Sequence, residues 1–399
     1  MPSPEISFEN TEKAFIAKGN QELKQSLWLF KLMGHPSLVK IFSKLIVFAI
    51  KIGLPVRLPI KATIFKQFCG GESIEESKEV VKKLNRSHIG SILDYSVEGK
   101  ESEEDFNKTK DEILKIITVA KDNPAIPYTS LKLTGIAPFA LLEKINSKQK
   151  LNKEEEAEFQ KIRVRLAEIG NYASQSNVPV YFDAEESWIQ EAIDMLAEEM
   201  MEMYNKKTAI VLTTLQMYRW DRIDYLKELI QKAKDKKYFI GIKLVRGAYI
   251  EKENLRASEK GYKSPIQPTK EKTDIDFDKA VDICLENIDL ITLCAGTHNE
   301  ASTMHLINKM KDLNIANDHP HVYFSQLYGM SDHITYNLAD AGYNVTKYLP
   351  YGPVKSVMPY LIRRAEENTG IAGQMGRELK LIIEEKNRRQ NSRLLTAGK

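Results

Sequence analysis

Near its C-terminal end the chain runs Tyr348-Leu-Pro-Tyr-Gly-Pro and then Tyr360-Leu-Ile-Arg363-Arg364-Ala-Glu-Glu367-Asn368. A strand-like run from Tyr343 to Tyr348 breaks at a Pro/Gly turn and restarts as a helix with two adjacent arginines, aromatics and a carboxylate. Adjacent guanidinium groups can hold a carboxylate in bidentate, charge-assisted hydrogen bonds; the plainer reading is a solvated basic helix face. Further polar clusters close a succession of apolar runs upstream. They are Lys132 in Ser130-Leu-Lys-Leu-Thr-Gly135, Asp183-Ala-Glu-Glu186, Gln216, Lys243-Leu-Val-Arg246-Gly247-Ala-Tyr249, Thr297-His298-Asn299 and Gln326-Leu-Tyr-Gly-Met330. Singly, each is unspecific: Lys132 suits a solvated strand end and His298 a cap or a core position. The histidines form no HExxH pair, and neither GxGxxG before a helix nor GxxxxGK[ST] occurs, which disfavours a zinc site, a nicotinamide-binding Rossmann domain and a P-loop. With no metal or triad, the polar set suits an anionic organic cofactor and an anionic substrate.

The elements that must position these residues follow from hydrophobic periodicity. Apolar, β-rich runs occur near Ile89 to Tyr95, Ser130 to Leu133, Val178 to Phe182, Ile210 to Thr214, Phe239 to Val245, Leu290 to Cys294, Val322 to Phe324 and Asn344 to Tyr348. Amphipathic segments such as Trp188 to Tyr204 and Arg222 to Lys234 lie between them. Strands alternating with helices imply parallel βαβ units, and eight units predict an α/β fold, a (β/α)8 TIM-like barrel with an N-terminal helical arm. A doubly wound sheet is the rival. The polar clusters then fall at the C-terminal ends of the strands, where barrels build active sites. The expected organisation is a basic helical arm over 1–85, a cofactor-binding barrel over 86–375 with a helical insertion near 137–177, and a helical tail over 376–399.

Charged residues at 28% and hydrophobic residues at 42% of 399 suit a soluble enzyme, and a net charge of +3 gives no reason to expect nucleic acid. Charge is unevenly spread: Leu23 to Gly71 holds no Asp or Glu but Lys24, Lys31, Lys40, Lys44, Lys51, Arg57, Lys61 and Lys66. Within it, Ser37 to Ile52 puts Leu38, Ile41, Phe42, Leu45, Phe48, Ala49 and Ile52 towards one face with lysines interspersed. That pattern fits a helix lying in a membrane interface or an arm packed on the barrel. Cys69, Cys284 and Cys294 lack CxxC spacing, so no disulfide framework is expected. No signal pattern opens the chain and no apolar run nears the roughly 20 residues of a spanning helix. The expected location is cytoplasmic, peripheral at the inner face of a membrane at most.

Lys243-Leu-Val-Arg-Gly-Ala-Tyr249, Asp183-Ala-Glu-Glu186 and Tyr348 through Asn368 resemble the proline dehydrogenases, flavoenzymes with an FAD-containing (β/α)8 barrel; the resemblance spans about residues 85 to 370. It implies that Lys132, Arg363 and Arg364 grip the proline carboxylate and that Tyr249, Leu327, Tyr348 and Tyr360 wall its ring. Lys243 takes the position of the basic residue near flavin N5, where hydride from proline would arrive, and Asp183 and Gln216 match contacts around the flavin and its ribityl chain. Gly247, Ala248, Thr297, His298, Asn299 and Glu367 match positions along the pyrophosphate and adenosine, with Val245 and Gln326 also among the cofactor contacts. Glu98 matches an acid that pairs with Arg363 and closes the site. Two departures touch the flavin contacts: Lys243 replaces the arginine of some relatives, and the Gln326 segment is offset by one residue from the glutamine of others.

The implied reaction is FAD-dependent oxidation of L-proline to Δ1-pyrroline-5-carboxylate, with electrons passed to a membrane quinone. Removing hydride from the carbon beside nitrogen needs an electron sink that side chains cannot supply. Clustered cations would also favour loss of the amine proton. Hydroxyproline dehydrogenase is the near alternative; Tyr348 favours proline because it would crowd a ring hydroxyl. A lysine Schiff-base lyase using Lys132 or Lys243 and an inert membrane-surface scaffold are the remoter ones. The length after the Arg pair leads to the expectation that the next step of proline breakdown belongs to a separate pyrroline-5-carboxylate dehydrogenase.

Overall fold

The computed structural model describes residues 6–52, 56–97, 101–370 and 372–397, without the side chains of residues 36, 40, 42, 47–51, 366–370, 372–375 and 393–397. Among the described residues, eight strands close into a barrel in chain order. They are β1 (Ile89–Tyr95), β2 (Tyr128–Leu131), β3 (Val180–Phe182), β4 (Val211–Gln216), β5 (Ile240–Val245), β6 (Ile291–Gly296), β7 (Val322–Leu327) and β8 (Val345–Tyr351). This is the parallel (β/α)8 architecture predicted by the alternation. The chain divides into two compact units, residues 91–325 and residues before 91 with those after 325.

In the 91–325 unit, period-two alternation sets what each strand faces. Leu212, Thr214 and Gln216 of β4 pair in register with Gly241, Lys243 and Val245 of β5, and Lys243 pairs in turn with Cys294 of β6. The intervening Ile240, Ile242 and Leu244 are fully buried on the opposite face. Glycine is required at 241, since a Cβ there would meet Leu212 Cγ at 2.1 Å. Asn205, in the turn after the helix Ser187–Tyr204, fixes where β4 and β5 begin. Its amide donates to Val211 O (2.8 Å) and Phe239 O (2.9 Å), and its carbonyl accepts from Ile210 N (2.9 Å) and Val211 N (2.8 Å). The segment expected as an insertion forms the helices Phe139–Asn146 and Lys153–Ser176, the second opened by a reciprocal capping box between Asn152 and Glu155.

The other unit has its own apolar core, including Phe15, Leu29, Phe30, Phe68, Val357, Leu361 and Leu381. It is built chiefly from the helices Asn20–Met33, Pro36–Lys51, Val354–Gly370 and Ala372–Ala397. Fully buried Lys347 reaches Asp332 at 2.9 Å, and Lys18 reaches the same carboxylate at 2.9 Å. Burial works to raise the Asp332 carboxyl, but the two cations outweigh it and hold the group well below the usual carboxylate range. Strand β8 departs from expectation by running past Tyr348 to Tyr351. It continues because Pro350 O accepts from Gly70 N (2.8 Å) and Tyr351 bridges to Gly71, so this short segment satisfies its backbone. No helix among the described residues is long and apolar enough to cross a membrane.

Candidate active site

Lys243 and Asp183 lie inside the barrel, both buried, and the Lys243 ammonium donates to the Asp183 carboxylate. Beneath them Tyr181 places its ring 4.8 Å from Lys243 Nζ, Tyr128 packs on Tyr181 (5.0 Å between centroids), and Tyr323 meets Tyr128 edge-on at 4.8 Å. These aromatics and Cys294 make a low-dielectric floor, and burial pushes the Cys294 thiol up to about 11. Such a floor makes charge pairing above it obligatory, because an unpaired buried ion is strongly destabilising.

A second group of contacts joins the ends of β2, β3 and β4. Glu185 is buried, and its two carboxylate oxygens accept from Thr134 N (3.1 Å) and Thr134 Oγ1 (2.5 Å), on the turn that follows Lys132. Its backbone N–H donates to Gln190 Oε1 (2.8 Å) and its carbonyl accepts from Gln216 Nε2 (2.6 Å). Burial raises the Glu185 carboxyl to about 7, opposed by the Thr134 hydroxyl and reinforced by neighbouring Glu186, with Lys132 pulling it down again. Gln216 also donates to Tyr218 Oη (2.8 Å), and its Oε1 is buried with no partner among the described residues. A buried acceptor left open at a strand's C-terminal end is a place for a ligand's N–H or O–H.

After β5, Gly247 adopts φ 102°, a left-handed conformation, and a Cβ there would touch nothing. Val245 is half-buried at the strand's end, Ala248 is exposed, and Tyr249 is the half-buried N-cap of the helix Ile250–Lys260. Arg246 stacks 4.1 Å from the Phe277 ring centre while donating to Asp274 (2.7 Å) and Thr297 Oγ1 (2.9 Å). Burial pulls the Arg246 pKa down despite Asp274. After β6, His298 is half-buried and Asn299 caps the helix Glu300–Asp312, accepting from Ala301 N (2.8 Å) and Ser302 N (3.2 Å). The side chain expected to contact a cofactor therefore also has a structural task.

In the other unit, Tyr360, Arg363 and Arg364 share one side of the helix Val354–Gly370 at i, i+3, i+4 spacing. Arg364 is buried with its guanidinium 5.3 Å from the Tyr360 ring centre. Gln326 is buried and accepts from Thr335 Oγ1 (2.8 Å), Leu327 packs against the helical core, and half-buried Tyr348 accepts from Tyr328 N (2.9 Å). Glu98 and the side chain of Glu367 lie outside the described residues.

Sequence reading gave no role to Glu185, Thr134 or Tyr181. Period two was the available signal: Tyr181, Asp183 and Glu185 alternate along one line, so the acidic run after β3 is a continuation of the barrel's inner face.

A parallel (β/α)8 barrel with a buried ion pair and converging polar groups at its strands' C-terminal ends has the construction of a barrel enzyme. The family model for proline dehydrogenase matches residues 77–377, and the chain belongs to the proline dehydrogenase family. Carbapenem antibiotics biosynthesis protein CarD of Pectobacterium carotovorum subsp. carotovorum is 34% identical over 323 residues, covering 81% of this chain and 83% of that protein. Proline dehydrogenase 1, mitochondrial, of Dictyostelium discoideum is 31% identical over 409 residues (91% and 72%), and hydroxyproline dehydrogenase of Xenopus laevis 29% over 413 (94% and 88%). Proline utilization A from Bdellovibrio bacteriovorus, in a crystal structure of the protein inactivated by N-propargylglycine, shares the fold. The TM-score is 0.69 at 22% identity, over 91% of this chain and 36% of that one.

Proposed function

We propose that this chain oxidises L-proline to Δ1-pyrroline-5-carboxylate, using FAD held at the C-terminal ends of the strands and passing electrons to a membrane quinone. Family membership across residues 77–377 supports the substrate. The single structural observation that carries the cofactor assignment is Gln216, whose buried Oε1 asks for a donor of the kind flavin and its ribityl chain present. When bound, FAD supplies the hydride acceptor that side chains cannot be.

The residues' own roles are then as follows. Lys243, Asp183, Gln216, Val245 and Gln326 hold the flavin part, and Gly247, Ala248, Thr297, His298, Asn299 and Glu367 serve the remainder of the cofactor. Lys132, Arg363 and Arg364 bind the proline carboxylate by charge-assisted hydrogen bonds. Their positive charge favours the neutral amine, the form from which hydride can leave. Tyr249, Leu327, Tyr348 and Tyr360 wall the ring, and Glu98 pairs with Arg363 to exclude water. The product passes to a separate pyrroline-5-carboxylate dehydrogenase, and the protein works from the cytoplasmic side at a membrane surface.

The visible spectrum of purified protein before and after anaerobic L-proline tests this. A flavin spectrum that bleaches with proline is expected; a flavin spectrum that proline leaves unchanged rejects the substrate, and a protein that stays colourless after incubation with FAD rejects the cofactor. Hydroxyproline is the second reading, because a hydroxyproline dehydrogenase is among the relatives. The Tyr348 phenol favours proline by occupying the room a ring hydroxyl would need, so kcat/KM should be higher for proline. The Schiff-base lyase loses ground because Lys243 is engaged by Asp183.

A further inference from the structure

Lys132, the lysine assigned to the proline carboxylate, opens the short helical turn Leu133–Gly135 and makes no capping hydrogen bond with its side chain. A lysine has no acceptor to offer, whereas the usual caps are Ser, Thr, Asp or Asn, whose oxygens take the free N–H groups of the first turn. Here the acceptor comes from the segment after β3. Glu185 is buried, and it accepts from Thr134 N (3.1 Å) with one oxygen and from Thr134 Oγ1 (2.5 Å) with the other. On the other flank of the lysine, Asp183 N donates to Leu131 O (2.9 Å). The run Asp183–Glu186 therefore staples the backbone on both sides of Lys132, between the buried side chains of Leu131 and Leu133.

Glu185 is itself held in place from the helix Ser187–Tyr204. Its N–H donates to Gln190 Oε1 (2.8 Å), Gln190 Nε2 donates to Asp194 Oδ1 (2.8 Å), and the second Asp194 oxygen accepts from Arg222 Nη1 at 2.7 Å. Glu185, Gln190, Asp194 and Arg222 are all buried. Connected polar chains of this kind, with few alternative partners in a low-dielectric interior, fix one geometry. The Glu185 carbonyl takes Gln216 Nε2 (2.6 Å), so the same residue also touches the side chain assigned to the flavin. Its carboxylate lies close enough to Lys132 for the lysine's charge to favour the ionised acid.

We infer that Glu185 is a positioning residue: through Thr134 it fixes the backbone at Lys132 so that the ammonium group meets the carboxylate of a cyclic amino acid. The inference rests on the proline reading above and adds to it a residue that does not touch the substrate. A cation set out of place weakens the ground state and the transition state alike, so loss of the staple should appear in KM and not in kcat. Glutamine at 185 can rebuild both contacts, its carbonyl accepting from Thr134 N and its amide donating to Thr134 Oγ1. Alanine can rebuild neither.

Two measurements on the FAD-loaded protein test this: oxidation of L-proline with a soluble dye acceptor, and calorimetric titration with tetrahydrofuran-2-carboxylate, a ring acid with no amine to oxidise. Glu185→Ala is expected to raise both KM and the Kd of the ring acid at least about tenfold, with kcat within about threefold of wild type. Thr134→Val keeps the N–H bond and loses the hydroxyl, so it should raise the same two constants by less. Glu185→Gln should return both to within about threefold of wild type. If Glu185→Ala does not fold, Thr134→Val against Thr134→Ser decides, because serine restores the hydroxyl bond and should restore KM. Constants unchanged in Glu185→Ala and Thr134→Val, or a fall in kcat at constant KM, would overturn the inference. Wild type that oxidises proline and binds the ring acid, with variants that match it, sinks the inference alone; wild type that does neither sinks the dehydrogenase reading and the inference with it.

Discussion

Lys243 and Asp183 face each other across the barrel interior from β5 and the end of β3, and the lysine stands over the Tyr181 ring. Both side chains are buried. Lys243→Ala takes a buried cation from Asp183 and is expected to cost about 3–5 kcal/mol, while Lys243→Met with Asp183→Leu should cost much less. Urea unfolding of the two variants and the wild type measures this. Equal destabilisation by the single and the double change would show that the two charges do not depend on each other.

Glu185 predicts a pH dependence. Its carboxyl sits at about 7 in the folded protein against 4.5 as its ordinary value, so between these pH values the folded state binds the extra proton. The stability linked to that proton is fully present below pH 4.5 and is lost as pH rises through 7. The loss amounts to about 3 kcal/mol once both states are ionised. Glu185→Gln should flatten the curve: relative to wild type, its unfolding free energy should rise across that window and level off above it. Parallel curves would show that the carboxyl does not titrate there.

Arg364→Ala tests the carboxylate role. A drop in kcat/KM for proline of at least about tenfold, or 1.4 kcal/mol, is expected, borne mainly by KM if the guanidinium binds ground state and transition state alike. A change within about threefold would remove Arg364 from the substrate site. Far-ultraviolet circular dichroism and flavin content of the variant separate this from misfolding.

Asn205→Ala removes two donors and two accepted bonds at the starts of β4 and β5, leaving buried backbone groups unsatisfied. A cost of about 2–4 kcal/mol is expected, larger than an ordinary hydrogen-bond deletion. Thermal and denaturant unfolding should both register it; a loss under about 1 kcal/mol would mean that water or a shifted strand start replaces the side chain.

The barrel was legible where a strand's outward face is uniformly branched or aliphatic. Ile240, Ile242 and Leu244 pack outward and announce β5 to within a residue of its start. Strand β2 was placed two residues late, since Tyr128 and Thr129 follow Pro127 and look like turn. Strand β8 outruns the end at Tyr348 that the following Pro350 suggests from sequence; the Gly70-Gly71 segment that extends it lies far away in the chain. Lys132, Asp183, Gln216 and Lys243 could be picked out because polar residues at strand ends oppose strand propensity. Glu185 could not, because a run of acids after a strand looks solvated until the structure shows Thr134 holding both its oxygens. Asn205 was hidden for a similar reason, as polar residues in turns are expected and carry no mark of burial.

Cys69, Cys284 and Cys294 are all buried, and burial raises the thiols of Cys284 and Cys294 away from the reactive thiolate. Oxidants attack cysteine sulfur according to its thiolate character and its exposure. Here the three thiols are out of reach while the fold is intact, so the protein should tolerate handling without reductant. The same arrangement supplies a clock: an alkylating reagent should mark these cysteines only as the chain opens. Cys69 then times the unit rich in basic helices, and Cys284 and Cys294 time the unit of residues 91–325.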